Sequence, residues 1–222
     1  MQTIEFYDQD YYKSHYGFLL NDKDYYQILS TYWKYVIFDQ LGFSPELSTL
    51  DYGCGLGQVT SALKNVNFFD PSEFAVDFLR HQGKNATSNR KSIPVEYFDY
   101  LVSSHSLEHS PEPANNLKEF HQYLKADGKL FLILPVETNF NPSLQPDSDQ
   151  HFQCWTFQTI TNLLFHCGWR PIHQSYLYNP FLLRTMASKI TNSQLIKLSA
   201  LFGKYKRSYP SLLTVAERIT TY

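Results

Sequence analysis

The sequence predicts an α/β fold: a doubly wound, mostly parallel sheet with an antiparallel C-terminal strand and an N-terminal helical cap. Three observations carry that expectation. Between residues 48 and 134, short apolar runs alternate with amphipathic stretches of helical period, the pattern of a parallel sheet covered on both faces. The first run passes directly into the glycine-rich turn Gly53-Cys54-Gly55-Leu56-Gly57. Two late apolar stretches, 172–178 and 212–217, lie on either side of a helical region and suit an antiparallel pair.

The elements follow in order. Residues 7–17 are tyrosine-dense without a clear period and read as a loop or short helical cap. In residues 25–41, Ile28, Leu29, Tyr32, Trp33, Val36, Ile37 and Leu41 recur at helical spacing. Asn21 or Asp22 is placed to cap that helix, and Gly42 lies just after it. Residues 48–52 form the first strand, 58–64 a short helix and 66–69 the second strand. A helix over 73–81 buries Phe74, Val76, Phe78 and Leu79, and the polar stretch 83–92 reads as loop. Residues 97–103 are a buried strand and 113–124 an amphipathic helix. Asp127-Gly128 marks a turn before a strand over 129–134, which Pro135 stops. Residues 135–150 read as a long loop of the kind that carries function, and 156–167 as a helix ended by Gly168. Residues 180–210 form a helical insertion. The whole reads as one domain, 1–222, with a cap or lid over 1–45 and the core over 46–222.

Composition narrows the classes of function. With 19 Lys+Arg against 21 Asp+Glu, the net charge of -2 gives no electrostatic reason to expect nucleic acid. The cationic run Lys204, Lys206 and Arg207 suits a solvated surface. No apolar run is long enough to insert in a membrane, and the first residues lack the pattern of a secretion signal. Cys54, Cys154 and Cys167 have no spacing of a zinc site, so three reduced thiols, no metal and a cytoplasmic location are expected. The 17 Tyr, 17 Phe and 3 Trp exceed an ordinary share. The tyrosines before residue 36 are hard to bury without partners for their hydroxyls.

The glycine turn carries the chemistry. At the carboxyl end of the first strand of a doubly wound sheet, a ligand binds, and glycines let its atoms approach without a Cβ in the way. Asp51 precedes the turn, where a carboxylate pairs with a ligand ammonium. Asp70 closes the second strand, where it accepts hydrogen bonds from ribose hydroxyls. Spacing discriminates among nucleotide sites: the dinucleotide fingerprint needs glycine at the position of Gln58, and the phosphate-binding loop needs Gly-Lys-Ser/Thr.

Leu50-Asp51-Tyr52-Gly53-Cys54-Gly55-Leu56-Gly57 is similar to the first motif of the class I S-adenosylmethionine-dependent methyltransferases, especially their small-molecule branch. Phe69-Asp70-Pro71-Ser72 resembles the second motif. Phe98-Asp99-Tyr100-Leu101-Val102-Ser103-Ser104 followed by Leu107-Glu108-His109 resembles the fourth-strand motif. The segment from Leu124 to Phe131 resembles the approach to the fifth strand, with Asp127 where the family often has Gly. The resemblance covers residues 48–217 and implies a Rossmann-like fold with S-adenosyl-L-methionine as cofactor. It implies that Asp51, Tyr52, Gly53, Cys54, Gly55 and Gly57 line the methionine end of the cofactor. Asp70 would hold the ribose, with Pro71 and Ser72 beside the adenosine, and Ser104 and His105 would lie near the sulfonium. Two departures matter. Twelve residues separate Gly57 from Asp70, so the first helix should be short. The compressed stretch after Gly83 lacks the usual adenine-contacting acid and implies a reduced or absent third strand.

Methyl transfer asks the protein to align a nucleophile and, for a hydroxyl or amine, to remove a proton. His105, His109 and His151 are the candidate catalytic residues. For His109 the alternative is a loop-locking residue bonded to backbone; for His105, backbone contact and packing; for His151, loop anchoring. Tyr7, Tyr11, Tyr12 and Tyr16 form either a lid over the cofactor or an aromatic cap on the sheet edge. The expected partner is a small-molecule acceptor, with sugar or polysaccharide precursors as one class. A non-catalytic S-adenosylmethionine-binding protein and a nicotinamide-dependent oxidoreductase are the competing functions.

Overall fold

The structure is a computed structural model describing residues 7–137, 144–145, 150–186, 192–207 and 210–219. In chain order its helices and strands are α1 (Gln9–Leu20), α2 (Lys23–Ile37), β1 (Thr49–Tyr52), β2 (Val66–Phe69), α3 (Glu73–His81), β3 (Asn85–Thr87) and β4 (Phe98–Ser104). They continue with α4 (Pro113–Tyr123), β5 (Leu124–Pro135), α5 (Phe157–His166), β6 (Trp169–Leu177), α6 (Leu183–Met186), α7 (Asn192–Lys206) and β7 (Ser211–Arg218). The chain forms two compact units, residues 1–93 with 178–208 and residues 94–177 with 209–222.

In the first unit β1 pairs with β2 and β2 with β3, all parallel. All four residues of β1 are buried. Cys54, Phe68, Val76, Leu79 and Ala86 form a core that joins the glycine turn, β2, α3 and β3. Caps fix where the helices begin. Asp22 accepts from the Tyr25 amide at 2.9 Å to start α2, and the Ser72 side chain accepts from the Ala75 amide to start α3, each satisfying an orphan amide of the first turn. Past α2, a 3₁₀ turn ends on Gly42 at φ +75°, a left-handed position that favours glycine.

In the second unit β4 pairs with β5 in parallel, while β7 pairs antiparallel with both β5 and β6. Fully buried Phe98, Phe120, Phe131 and Trp169 dominate the core. The Trp169 indole donates to the Leu117 carbonyl at 2.8 Å and stacks on His121 at 3.9 Å. α5 starts in a reciprocal cap between Thr156 and Thr159. Among the described residues, no helix is long and apolar enough to cross a membrane.

Four local expectations change. The segment after the glycine turn forms no helix: it runs as successive turns, with the Ser61 amide bonded to Gly57 at 3.0 Å and Leu63 to Thr60 at 2.8 Å. Only residues 58–65 are free to run back along β1. As a helix they would span about 12 Å, no more than the strand's own length, and leave nothing for the two connections. The polar stretch 83–92 contains β3, a strand too short to show a pattern because only Ala86 is buried. Of the stretch 7–17, read as a loop or short helical cap, residues 9–17 belong to the twelve-residue helix α1, capped by Asp8 and kinked at Tyr16. Asp127 and Gly128 lie inside β5, where pairing jumps from Phe98–Leu124 to Tyr100–Lys129, so the turn is absorbed as an irregularity of a continuous strand. Of the long loop expected over 135–150, residues 138–143 and 146–149 lie outside the described residues, as do 187–191 and 208–209 of the insertion.

Candidate functional site

In the first unit the glycine turn caps the ends of β1 and β2. The amides of Gly53 and Cys54 both donate to the Phe69 carbonyl, at 2.8 and 3.0 Å, and the Gly57 amide returns to Cys54 at 2.8 Å. Gly53, Gly55 and Gly57 all have positive φ. A Cβ on Gly57 would stand 2.8 Å from Leu79 Cδ2 and 2.9 Å from Phe68 Cε1. Glycine is needed there both for the turn and for the packing beneath it.

Two buried carboxylates support this turn. The Thr60 hydroxyl donates to Asp51 Oδ2 at 2.6 Å, while Asp51 Oδ1 is buried and receives no hydrogen bond among the described residues. Burial pushes the Asp51 carboxyl up to about 7; the Thr60 bond opposes the shift and the Asp70 charge adds to it. Asp70 accepts from the Gly55 amide at 2.7 Å and the Ser72 amide at 2.9 Å, one on each oxygen. Burial raises it to about 6 against those two bonds. Asp70 therefore ties the glycine turn to the start of α3, and each oxygen keeps a further lone pair for a ligand hydroxyl.

The other expected cofactor residues cluster around these two. Tyr52 is buried 4.7 Å from the Phe69 ring, and the Arg90 guanidinium stands 5.7 Å over Tyr52. The Cys54 thiol is buried and pushed up by burial, then by Asp70 and Asp51. Pro71 is partly exposed, and the Ser72 hydroxyl donates to the Tyr7 carbonyl at 2.5 Å. That bond brings the N-terminal segment onto the motif. Tyr12, 4 % exposed, stacks on Phe74 at 5.4 Å, and its hydroxyl lies 3.7 Å from where a Cβ on Gly55 would be. Buried tyrosine hydroxyls find backbone partners: Tyr26 donates to Leu56 at 2.7 Å and Tyr32 to Tyr178 at 2.7 Å. Thr60, Tyr26 and Arg90 support the site without a sequence signal, since each reaches it only through the fold.

In the second unit β4 ends at Ser104, which is partly buried, and His105 follows at φ +47°. His105 Nε2 lies 3.1 Å from the Ser211 hydroxyl, and Nδ1 lies 3.6 Å from Glu108. Its ring is half exposed, yet desolvation by the surrounding protein, followed by His151 and His109, pushes the imidazole down toward its neutral form. A 3₁₀ turn over Leu107–His109 carries Glu108, whose side chain is fully buried. Burial raises that carboxyl to about 7, opposed by its own backbone amide and by His151, with Glu137 adding. The His109 and His151 rings meet edge to face at 4.9 Å, and His151 Nδ1 is 2.6 Å from Glu137 Oε1. The Phe152 amide donates to the Glu108 carbonyl at 2.9 Å, which holds the His151 segment beside the 3₁₀ turn. Glu108, His109 and His151 each bring one ligand atom to within 4.8 Å of the others. The structure thus gathers all three candidate histidines and adds Glu108 and Glu137. No metal spacing was visible because His151 and Glu137 come from a segment remote in sequence from Glu108 and His109.

Known proteins resemble this chain in sequence and in fold. Residues 30–175 match a family described as a methyltransferase domain. A 2-methyl-6-phytyl-1,4-hydroquinone methyltransferase of Arabidopsis thaliana chloroplasts is 29% identical over 111 residues, 43% of this chain and 32% of the relative. The chain spans about a third of the length of that curated relative. Among solved structures, an S-adenosylmethionine-dependent methyltransferase from Thermotoga maritima superposes with a TM-score of 0.63 at 13% identity, covering 98% of this chain and 100% of the other. The Burkholderia thailandensis 1,6-didemethyltoxoflavin-N1-methyltransferase, solved with S-adenosylhomocysteine, gives a TM-score of 0.57 at 14% identity, over 87% of this chain and 79% of the other. The fold is that of the Rossmann-like methyltransferases. The family match covers more than half of the chain, and the chain belongs to the methyltransferase-domain family, with S-adenosylmethionine as its cofactor.

Proposed function

We propose that this chain transfers a methyl group from S-adenosylmethionine to a small-molecule acceptor. The observation that carries the reading is Asp51, a buried carboxylate under the glycine turn with one oxygen still lacking a donor. Leaving such an acceptor unpaired costs about 1–3 kcal/mol or more, and a ligand ammonium removes that cost. In this reading Asp51 takes the ammonium of the donor's methionine end and the backbone of residues 53–57 lies against it. Asp70 takes the ribose hydroxyls on its remaining lone pairs, and Pro71 and Ser72 flank the adenosine. Tyr12, packed over Gly55, closes the donor site as a lid.

The sulfonium is the electrophile and departs as a neutral thioether, so no covalent enzyme intermediate is needed. What remains is to orient the acceptor and take up its proton. That task is assigned to the histidine group. His105, pushed toward neutrality, is a weak base. His151 is the better oriented, because Glu137 fixes its ring through Nδ1.

The acceptor class is tested by turnover, read as S-adenosylhomocysteine release. The panel holds sugars and polysaccharide precursors, hydroquinones and small amines. Release with at least one acceptor class supports the reading. Cofactor binding with no release across the panel supports a binding protein, and binding of NAD in place of S-adenosylmethionine would make the chain an oxidoreductase.

A further inference from the structure

We propose that Glu108, His109 and His151 form a site for a divalent transition-metal ion, with a coordination position left open for an acceptor oxygen. Three features of the second unit support it. The first is the approach of three ligand atoms, one from a carboxylate and two from imidazoles, to within 4.8 Å of one another. In a tetrahedral zinc site with bonds of about 2.0–2.1 Å, ligand atoms stand about 3.3 Å apart, so side-chain rotations of roughly an ångström complete the sphere. The Phe152–Glu108 backbone bond already holds the two segments together.

The second feature is Glu108 itself. Its side chain is fully buried, and neither carboxylate oxygen accepts a hydrogen bond among the described residues. The His105 ring nitrogen at 3.6 Å is too far for one. A buried carboxylate is held by a cation or by donors; the groups acting on this one are the imidazoles of His105 and His151 and the Glu137 carboxylate, whose like charge adds to the need for a cation.

The third is Glu137. Its carboxylate at 2.6 Å from His151 Nδ1 fixes the ring and leaves Nε2 as the ligand atom. Carboxylate–histidine–metal arrangements of this kind orient the ring and raise its basicity. A carboxylate with two imidazoles suits zinc, iron or cobalt better than calcium or magnesium, which favour all-oxygen sets. Three protein ligands also leave a position for water or substrate, as catalytic zinc sites do.

The ion's consequence for the reaction rests on the methyl-transfer reading above. A hydroxyl or phenol bound to the ion loses its proton to solvent at neutral pH. The acceptors selected are hydroxyl-bearing molecules.

The test strips the full chain with a chelator, desalts it, and titrates Zn²⁺ by calorimetry, with Co²⁺ absorption as a second reading of tetrahedral ligation. The expected result is a single site, weakened about 100-fold or more in Glu108→Gln and His151→Ala. Glu137→Gln weakens it by about 10- to 100-fold. Cys154→Ser, which removes the exposed thiol near His151, leaves it unchanged. Uptake that survives Glu108→Gln and His151→Ala, uptake lost in Cys154→Ser, or none in the wild type overturns the proposal. Because His151 is partly exposed, His151→Ala keeps the test valid even where Glu108→Gln fails to fold. S-adenosylhomocysteine affinity, measured on the same samples, separates the two claims. Intact cofactor binding with lost metal uptake supports the site, and metal uptake without cofactor binding refutes the methyl-transfer reading alone.

Discussion

Replacing Gly57 with alanine tests the packing under the glycine turn. At φ +72° an L-residue is strained, by about 1–2 kcal/mol. The added methyl would also meet Leu79 Cδ2 at 2.8 Å and Phe68 Cε1 at 2.9 Å. Both side chains are essentially inaccessible to solvent and packed against Val76, so neither can swing away freely. Overpacking of this kind costs about 1–3 kcal/mol. The sum, about 2–5 kcal/mol, lowers Tm by roughly 4–20 °C in a chain of this size. Gly42→Ala is the matched control. Its φ is +75° and nothing lies within 4 Å of the added methyl, so only the backbone cost of about 1–2 kcal/mol remains. Differential scanning calorimetry of both variants reads the difference. Equal losses in the two would refute the argument that β2 and α3 demand glycine at position 57.

Other predictions follow from the same site. Because Asp51 titrates at about 7 in the free protein and from 3.8 ordinarily, the folded chain holds a proton between about pH 4 and 7 that the unfolded chain has lost. Stability without ligand should fall as pH rises through that window. Cofactor affinity should move oppositely, dropping up to about tenfold per pH unit below 7, since a protonated Asp51 must lose its proton to pair with an ammonium. Thermal scans and calorimetry from pH 5 to 8 test both; Asp51→Asn should make the affinity curve shallower and reduce the stability slope without abolishing it, because Asp70 at about 6 and Glu108 at about 7 titrate in the same window. Thr60→Val removes the 2.6 Å bond that favours the ionised form, so the midpoint of the affinity profile should shift upward; an unchanged midpoint counts against Thr60 as the supporting donor. Deleting residues 1–20 removes Tyr12 and the Tyr7–Ser72 bond. S-adenosylhomocysteine should then dissociate faster, and an unaltered rate in stopped-flow displacement would show that α1 is no lid.

Much of the fold was legible because local chemistry marked its boundaries. β2 and α3 fall where the apolar pattern placed them, since Asp70, Pro71 and Ser72 separate a strand from a capped helix without ambiguity. The glycine spacing and Asp51 marked the turn after β1 for the same reason: a turn of this kind is encoded by adjacent residues. The elements that escaped depend on distance rather than pattern. The turns after Gly57 arise from the short return to β2, and β3 buries only one side chain. The aromatic N-terminus showed no period because Tyr12 packs on Phe74 and the glycine turn, contacts that no local spacing encodes. Asp70 looked free for a ribose, and folding engages both its oxygens with backbone amides first. Glu137, and the grouping of His151 with Glu108 and His109, became visible only when the chain brought these residues together.

The central claim is that Asp51 and the glycine turn hold the methyl donor. Titrating S-adenosylhomocysteine and NAD into the wild type and Asp51→Asn by calorimetry tests it most directly. Hydrogen bonds to charged groups contribute about 1.5–3 kcal/mol, so Asp51→Asn should weaken S-adenosylhomocysteine by about 10- to 100-fold, with no heat from NAD in either protein. Binding of NAD to the wild type, or equal S-adenosylhomocysteine affinity in the two proteins, would contradict the account.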